Sequence, residues 1–105
     1  HGGHGDSMLA ERTASETCLS CHIDKGGPFR FEHLATHNGM SDGCMTCHVQ
    51  HGSDSAWMHN ADGRSLCLRC HTQQETDHYE PLTCWTVGCH ESIHGSNRNL
   101  LFLEF

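Results

Sequence analysis

No apolar run in the 105 residues approaches the roughly 20 that a membrane-spanning helix needs. Basic residues are scarce: Lys and Arg number 6 against 13 Asp and Glu, the formal charge is −7, and Lys25 is the only lysine. A chain of that balance lacks the basic face that nucleic acid and anionic membrane surfaces require. Aromatic residues are 7 % of the chain, and the apolar share of 35 % includes 8 Cys. What remains is thin for a side-chain core, and small scaffolds of this kind rely on staples, metals or cofactors. No alternation of apolar and polar residues is long enough to read as a useful strand. The length allows one domain, residues 1–105.

What is abundant is Cys and His, 8 and 12 residues. The cysteines fall into four pairs: Cys18/Cys21, Cys44/Cys47, Cys67/Cys70 and the wider Cys84/Cys89. Each second Cys is followed at once by a histidine, namely His22, His48, His71 and His90, so the chain reads CLSCH, CMTCH, CLRCH and CWTVGCH. C-x-x-C-H is the attachment signal of c-type haem: two thiols add to the two vinyl groups of one porphyrin, and the adjacent His is the proximal ligand of the iron. Four disulfides would leave the four following histidines unexplained. Paired zinc knuckles do not need a His after every second Cys. A thioredoxin-like redox pair needs one C-x-x-C on a βαβ scaffold. The reading that uses every Cys is four haem c groups, with CWTVGCH as a fourth site of longer loop.

Four of the twelve histidines are then proximal ligands, and eight remain: His1, His4, His33, His37, His51, His59, His78 and His94. The economical reading is bis-His ligation of all four irons with a surplus. Such iron has no open position for substrate, so its chemistry is one-electron transfer. A distal Met would raise the potential, but Met45 lies inside CMTCH and is badly placed, and Met8, Met40 and Met58 compete with abundant His.

The second cysteines are spaced by 26, 23 and 19 residues, a weak internal repeat of haem-binding units. Short helical pieces are expected over Ser7–His22, Ser41–His48 and Ser65–His71. Gly26-Gly27-Pro28, Asn38-Gly39, Asp62-Gly63 and Gly95-Ser96-Asn97 read as turns. The expected fold is mostly irregular loops with short α-helices wrapped around four covalently attached haems, with little or no β. Porphyrins take the place of the core, and the apo chain is expected to be largely unfolded.

The stretch GCMTCHVQHGSDSAWMHNADGRSLCLRCH resembles the doubled C-x-x-C-H unit of multihaem cytochromes, in which one motif carries CH-x-x-HGS and the next ends in LCLRCH. CHESIHGSNRNLLFL resembles the closing repeat of decahaem conduit cytochromes, and GPFRFEH before GCMTCH resembles the same repeats. The resemblance spans about residues 16–103. It implies that His33, His51, His78 and His94 are distal iron ligands, leaving His1, His4, His37 and His59 over. Two departures stand out: the C-x-x-x-x-C spacing, and Trp57-Met58-His59 where the family favours aliphatic residues. The second leaves His59 open as a ligand in place of a neighbour. His51 follows His48 by three residues and His94 follows His90 by four, too close for either pair to grip opposite faces of one ring. His51 and His94 would therefore serve other haems, or else hydrogen-bond propionates.

HGGHGD at the start has no initiator Met or signal peptide and is expected to belong to a processed, exported chain, extracellular or periplasmic. It reads as a solvated tail, as a source of a haem ligand for the next molecule through His1 or His4, or as a copper site. The ending Asn99-Leu-Leu-Phe-Leu-Glu-Phe105 is too apolar to hang in water and is expected to cover a haem edge of its own molecule or a neighbour. Arg64, Arg69 and Arg98 are candidates to pair with haem propionates. Trp57, Tyr79 and Trp85 are expected to pack on rings.

Three functional readings are open. One is the subunit of an extracellular conductive filament, similar to tetrahaem filament cytochromes, with copies of itself as partner and extracellular electron acceptors beyond. The second is a soluble periplasmic shuttle between a membrane quinol oxidase and a terminal reductase. The third is a multihaem oxyanion reductase, for which Lys25 and Arg30 are the nearest candidate groups. With a distal His available for every iron, the expectation is that the chain is not an enzyme.

Overall fold

The computed structural model describes Leu9 and residues 11–36, 43–75, 83–85 and 89–103. The expectations for His1, His4, Met8, His37, Asn38-Gly39, Met40, His78, Tyr79 and Phe105 lie outside the described residues.

Loops dominate. The regular elements are α1 (Ala14–Leu19), α2 (Ser65–Leu68), β1 (Phe31–Glu32) and β2 (Gly95–Ser96), with 3₁₀ turns at Ile23–Lys25, Gly43–Thr46, Ala56–Met58 and Thr72–Glu75. Among the described residues, the helix expected over Ser7–His22 is α1 alone. It begins at Thr13, whose hydroxyl accepts from the Glu16 N–H at 3.1 Å while the Glu16 carboxylate accepts from the Thr13 N–H at 3.0 Å. This reciprocal cap satisfies two of the orphan donors at the helix start. The described part of Ser41–His48 holds a 3₁₀ turn in place of the expected helix, and the helix over Ser65–His71 stops at Leu68.

β1 and β2 form a small antiparallel ribbon, Phe31 opposite Ser96 and Glu32 opposite Gly95. Gly95-Ser96 is therefore strand where a turn is expected from Gly95-Ser96-Asn97. The reason is long-range: Phe29 packs so closely on Gly95 that a Cβ there would run into its ring, and the Asn97 side chain accepts from the Arg30 N–H at 2.9 Å. Two residues of strand facing a distant segment carry no local signature.

Among the described residues side chains build almost no core. Leu66 is the only buried hydrophobic residue among the described ones, while Ile23, Leu34, Trp57, Met58, Leu100 and Leu101 are exposed. The radius of gyration is 14.7 Å, against about 13 Å for an ordinary globule of this length. No helix among the described residues is long and apolar enough to cross a membrane.

Candidate haem-binding site

Each Cys pair closes in the same way. The His22 N–H donates to the Cys18 carbonyl at 2.9 Å, His48 to Cys44 at 3.0 Å and His71 to Cys67 at 3.0 Å. In CWTVGCH the His90 N–H donates to the Cys84 carbonyl at 3.0 Å. The longer loop thus meets the same closure, bringing first Cys and His to the same relation in all four motifs.

The thiols of successive motifs are neighbours. Burial and then Cys44 push the Cys18 thiol up from its ordinary value. Burial pushes the Cys67 thiol up to about 12, with Cys84 the next cause and Cys47 and Cys70 smaller ones. Burial also raises Cys47, with Arg69 opposing and Cys70 reinforcing. Paired thiols thus join motif one to motif two and motif three to motif four, while motif three bears on the Cys47 thiol through the charges of Arg69 and Cys70. α1 sets the first of these: Gly43 at φ +59° sits against Ser15, whose hydroxyl accepts from the Cys44 N–H at 3.3 Å. Arg69 sets the link of motif three to motif two, donating to the side-chain oxygen of Asn60 at 2.8 Å and to its carbonyl at 3.2 Å, while Asn60 bonds back to Thr46.

Cys21 and Cys89 depart from this pattern. Sequence predicts a haem thioether at both, Cys89 in the motif of wider spacing, and no cause of a thiol shift links either to another motif among the described residues. Cys21 lies just beyond the C-terminal end of α1 and is exposed. Its N–H donates to the Cys18 carbonyl at 3.2 Å, and its Sγ lies 3.9 Å from the Ser20 hydroxyl. Cys89 is half-buried, and its carbonyl accepts from the Glu91 N–H at 2.9 Å. In the first three motifs the N–H of the second Cys turns back to the carbonyl of the first, as Cys47 does to Cys44 at 3.3 Å and Cys70 to Cys67 at 3.1 Å. At Cys89 the two extra residues of CWTVGCH stand between, so the closure passes to His90 alone. Cys21 and Cys89 keep the adjacency to His22 and His90 that haem attachment needs.

The imidazoles are oriented through Nδ1. His48 Nδ1 lies 2.9 Å from the Trp57 carbonyl, His33 Nδ1 lies 2.9 Å from the Ile93 carbonyl, and His90 Nδ1 meets the Leu101 carbonyl. A carbonyl oxygen only accepts, so in each ring the proton sits on Nδ1 and the lone pair on Nε2. That tautomer is the one a metal needs, with the second nitrogen held by a backbone acceptor. The Trp57 carbonyl is aimed by two successive left-handed residues, Trp57 at φ 61° and Met58 at φ 55°. Such conformations for bulky residues cost about 1–3 kcal/mol each.

Two ring pairs lie near parallel, stacked at a distance. His48 and His94 have centroids 6.3 Å apart and planes within 6° of parallel. His33 and His71 have centroids 6.1 Å apart at 25°. A His nitrogen bonds a first-row metal at about 2.0 Å, and the ring centroid lies about 1.1 Å beyond it, so two imidazoles trans on one metal have centroids about 6.2 Å apart. Burial keeps His94 below the usual imidazole range, with Lys25 the next cause. His51 sits exposed in the turn after His48. Lys25, a candidate for the enzyme reading, pairs with Asp24 at 2.7 Å.

His59 carries only a weak signal in sequence. It is 6 % exposed, forms an isolated β-bridge with His48, and packs edge-on against Trp85 at 5.2 Å. Its centroid lies 5.0 Å from that of His48, tilted by 44°. This is about 1.2 Å too short for a trans pair. Burial, then His48, lowers its pKa. Its neighbour Trp57 is an exposed ring at the surface.

The donor set fits a porphyrin iron. No disulfide joins the eight cysteines. Among the described residues no group of three or more His, Cys, Asp or Glu is placed to hold a bare metal ion, as a zinc knuckle requires. A haem iron asks the chain for axial ligands only, because the macrocycle supplies the rest. Exposed apolar side chains follow directly on His22 and His33, as Ile23 and Leu34, where a flat apolar ring would cover them.

Residues 37–76 match the family described as the doubled CXXCH motif. The doubled CXXCH segment is less than half of the chain and contains the second and third Cys pairs with His48 and His71. The match supports a multihaem c-type cytochrome, with covalently bound haem c and electron transfer as its chemistry. No curated protein matches the chain.

Proposed function

We propose that the chain carries four haem c groups with bis-His iron and passes single electrons along them. Haem c supplies a one-electron ferric/ferrous couple, and two imidazoles bias it to low potential relative to Met/His ligation. The residues proposed to hold the rings are Cys18 and Cys21, Cys44 and Cys47, Cys67 and Cys70, and Cys84 and Cys89. His22, His48, His71 and His90 are the proximal ligands, and His33, His51, His78 and His94 the distal ones. The observation that carries the count of four is the shared closure of the motifs, the first Cys carbonyl accepting from the His N–H in CWTVGCH as in the other three. With no substrate position left at a bis-His iron, the role is conduction and not catalysis. Intact mass of native protein is expected to exceed the polypeptide by four haems, and Cys84→Ala/Cys89→Ala by three. A native mass equal to the bare chain overturns the reading, and a native excess of three overturns the fourth site.

The assembly proposed is an exported filament of identical subunits, extracellular, delivering electrons to acceptors outside the cell. It is supported by the exposed pair Leu100 and Leu101 and by a supply of histidine beyond what four irons use. Electron microscopy of native material is expected to show filaments, and monomers alone at high concentration overturn the assembly. The second reading, a periplasmic shuttle, rests on the charge of −7, which steers docking onto basic partners at rates that fall with salt. Reduction rates insensitive to ionic strength count against it.

A further inference from the structure

The ribbon β1–β2 joins two segments about sixty residues apart in the chain, and a candidate distal histidine flanks each strand. Its antiparallel register pairs Glu32 with Gly95. One step further, His33 stands opposite His94. The backbone around both is tied together. His33 Nδ1 donates to the Ile93 carbonyl at 2.9 Å, and the Thr36 hydroxyl lies 2.8 Å from the His33 carbonyl and 3.2 Å from that of His94. Behind the ribbon, Asn97 receives the Arg30 N–H, and Gly95 admits Phe29 where a side chain would not fit.

From this one clip the two rings face different motifs. His94 faces His48 with centroids 6.3 Å apart, and His33 faces His71 with centroids 6.1 Å apart. Both separations are close to the value of about 6.2 Å that two imidazoles sharing one metal would have. His59 is nearer to His48 at 5.0 Å and does not meet that distance.

Resting on the haem reading above, we infer that the ribbon supplies the sixth ligand to two haems at once: His94 to the iron held by His48, and His33 to the iron held by His71. The ligand order is crossed relative to the chain. A histidine after the fourth motif serves the second haem, and a histidine after the first motif serves the third. The two central haems are therefore mechanically joined, and loosening the ribbon changes both while the Cys18/Cys21 and Cys84/Cys89 sites keep their ligands.

The test uses the holoprotein with its haem count first established by intact mass. His94→Ala and His33→Ala are each expected to turn one low-spin haem high-spin by EPR and to open one carbon monoxide site per reduced chain, with added imidazole restoring the low-spin form. The pairing is read in backgrounds that lack one haem. With Cys44→Ala/Cys47→Ala, His94→Ala adds no high-spin haem, and with Cys67→Ala/Cys70→Ala it still adds one. His33→Ala gives the reverse. Where a background does not fold, His94→Met and His33→Met serve instead, each expected to raise one midpoint potential and keep six-coordinate iron. His94→Ala adding a high-spin haem in the Cys44→Ala/Cys47→Ala background overturns the pairing. So do single variants, Ala or Met, that leave every haem spectrum and potential unchanged. Either result leaves the haem reading intact, whereas a native mass without haem removes that reading itself.

Discussion

His33 reaches across the chain to the backbone of Ile93, the residue before His94, through a 2.9 Å hydrogen bond from its Nδ1. One bond thereby does two things. It fixes the tautomer of the His33 ring with the lone pair on Nε2, and it locks the segment that carries the second imidazole. The consequence is a molecule in which short pieces of backbone, not a packed interior, set the positions of the reactive side chains.

The cap of α1 is a first quantitative check. Thr13 and Glu16 exchange two hydrogen bonds at the start of the helix that carries Cys18. Thr13→Ala is expected to cost about 1 kcal/mol, or about 5 °C in Tm. Haem content should be unchanged, because the Cys18–His22 closure lies at the other end. Thermal unfolding of the holoprotein followed by circular dichroism reads the shift.

Gly43 separates two costs. A Cβ there would run into the Ser15 hydroxyl, and its φ of +59° is unfavourable for any side chain. Gly43→Ala is expected to destabilise by about 1–2 kcal/mol from the backbone alone, with the Ser15 clash added. Ser15→Ala in the same chain should relieve the clash and leave the backbone cost, together with the loss of the bond from the Cys44 N–H that the Ser15→Ala single variant reads by itself. Denaturant melts of the single and double variants give the two parts.

Ser96 is 2 % exposed, and its hydroxyl accepts from the Arg98 and Asn99 N–H groups, both at 3.1 Å. These bonds turn the chain after β2 so that the Leu101 carbonyl meets His90. Ser96→Ala leaves two donors without that acceptor and is expected to cost about 1–3 kcal/mol. Ser96→Thr, which keeps the oxygen, is expected to lose less if the extra methyl is accommodated. Chemical denaturation of the pair tests whether the hydroxyl or the volume matters.

Removal of the cofactor is the broadest check. With Leu66 as the only buried hydrophobic residue among those described, the polypeptide has little to hold it folded. A chain with all eight cysteines replaced by Ala is expected to show no cooperative thermal transition and fast amide exchange throughout. A sharp transition in that variant would mean that the loops pack without porphyrin.

The chemistry of the attachment sites is written in the sequence, because C-x-x-C-H is a local device: spacing and adjacency suffice, and no distant residue is needed to recognise it. The loop-rich fold is written there too, since a chain this poor in apolar side chains has no means of building layers of helix or sheet. Relations that span the chain needed the folded backbone. That Gly95-Ser96 is strand follows from Phe29 and Arg30 on the far segment. That His59 is buried against Trp85 follows from contact with the fourth motif. That the Cys18 thiol lies beside Cys44 and the Cys67 thiol beside Cys84 is not written in the spacing of any one motif. Which rings face one another, His94 with His48 and His33 with His71, depends on a ribbon of two residues per strand whose pairing leaves no period in the sequence. Local chemistry is carried by neighbours along the chain; its partners across space are set only when the backbone closes.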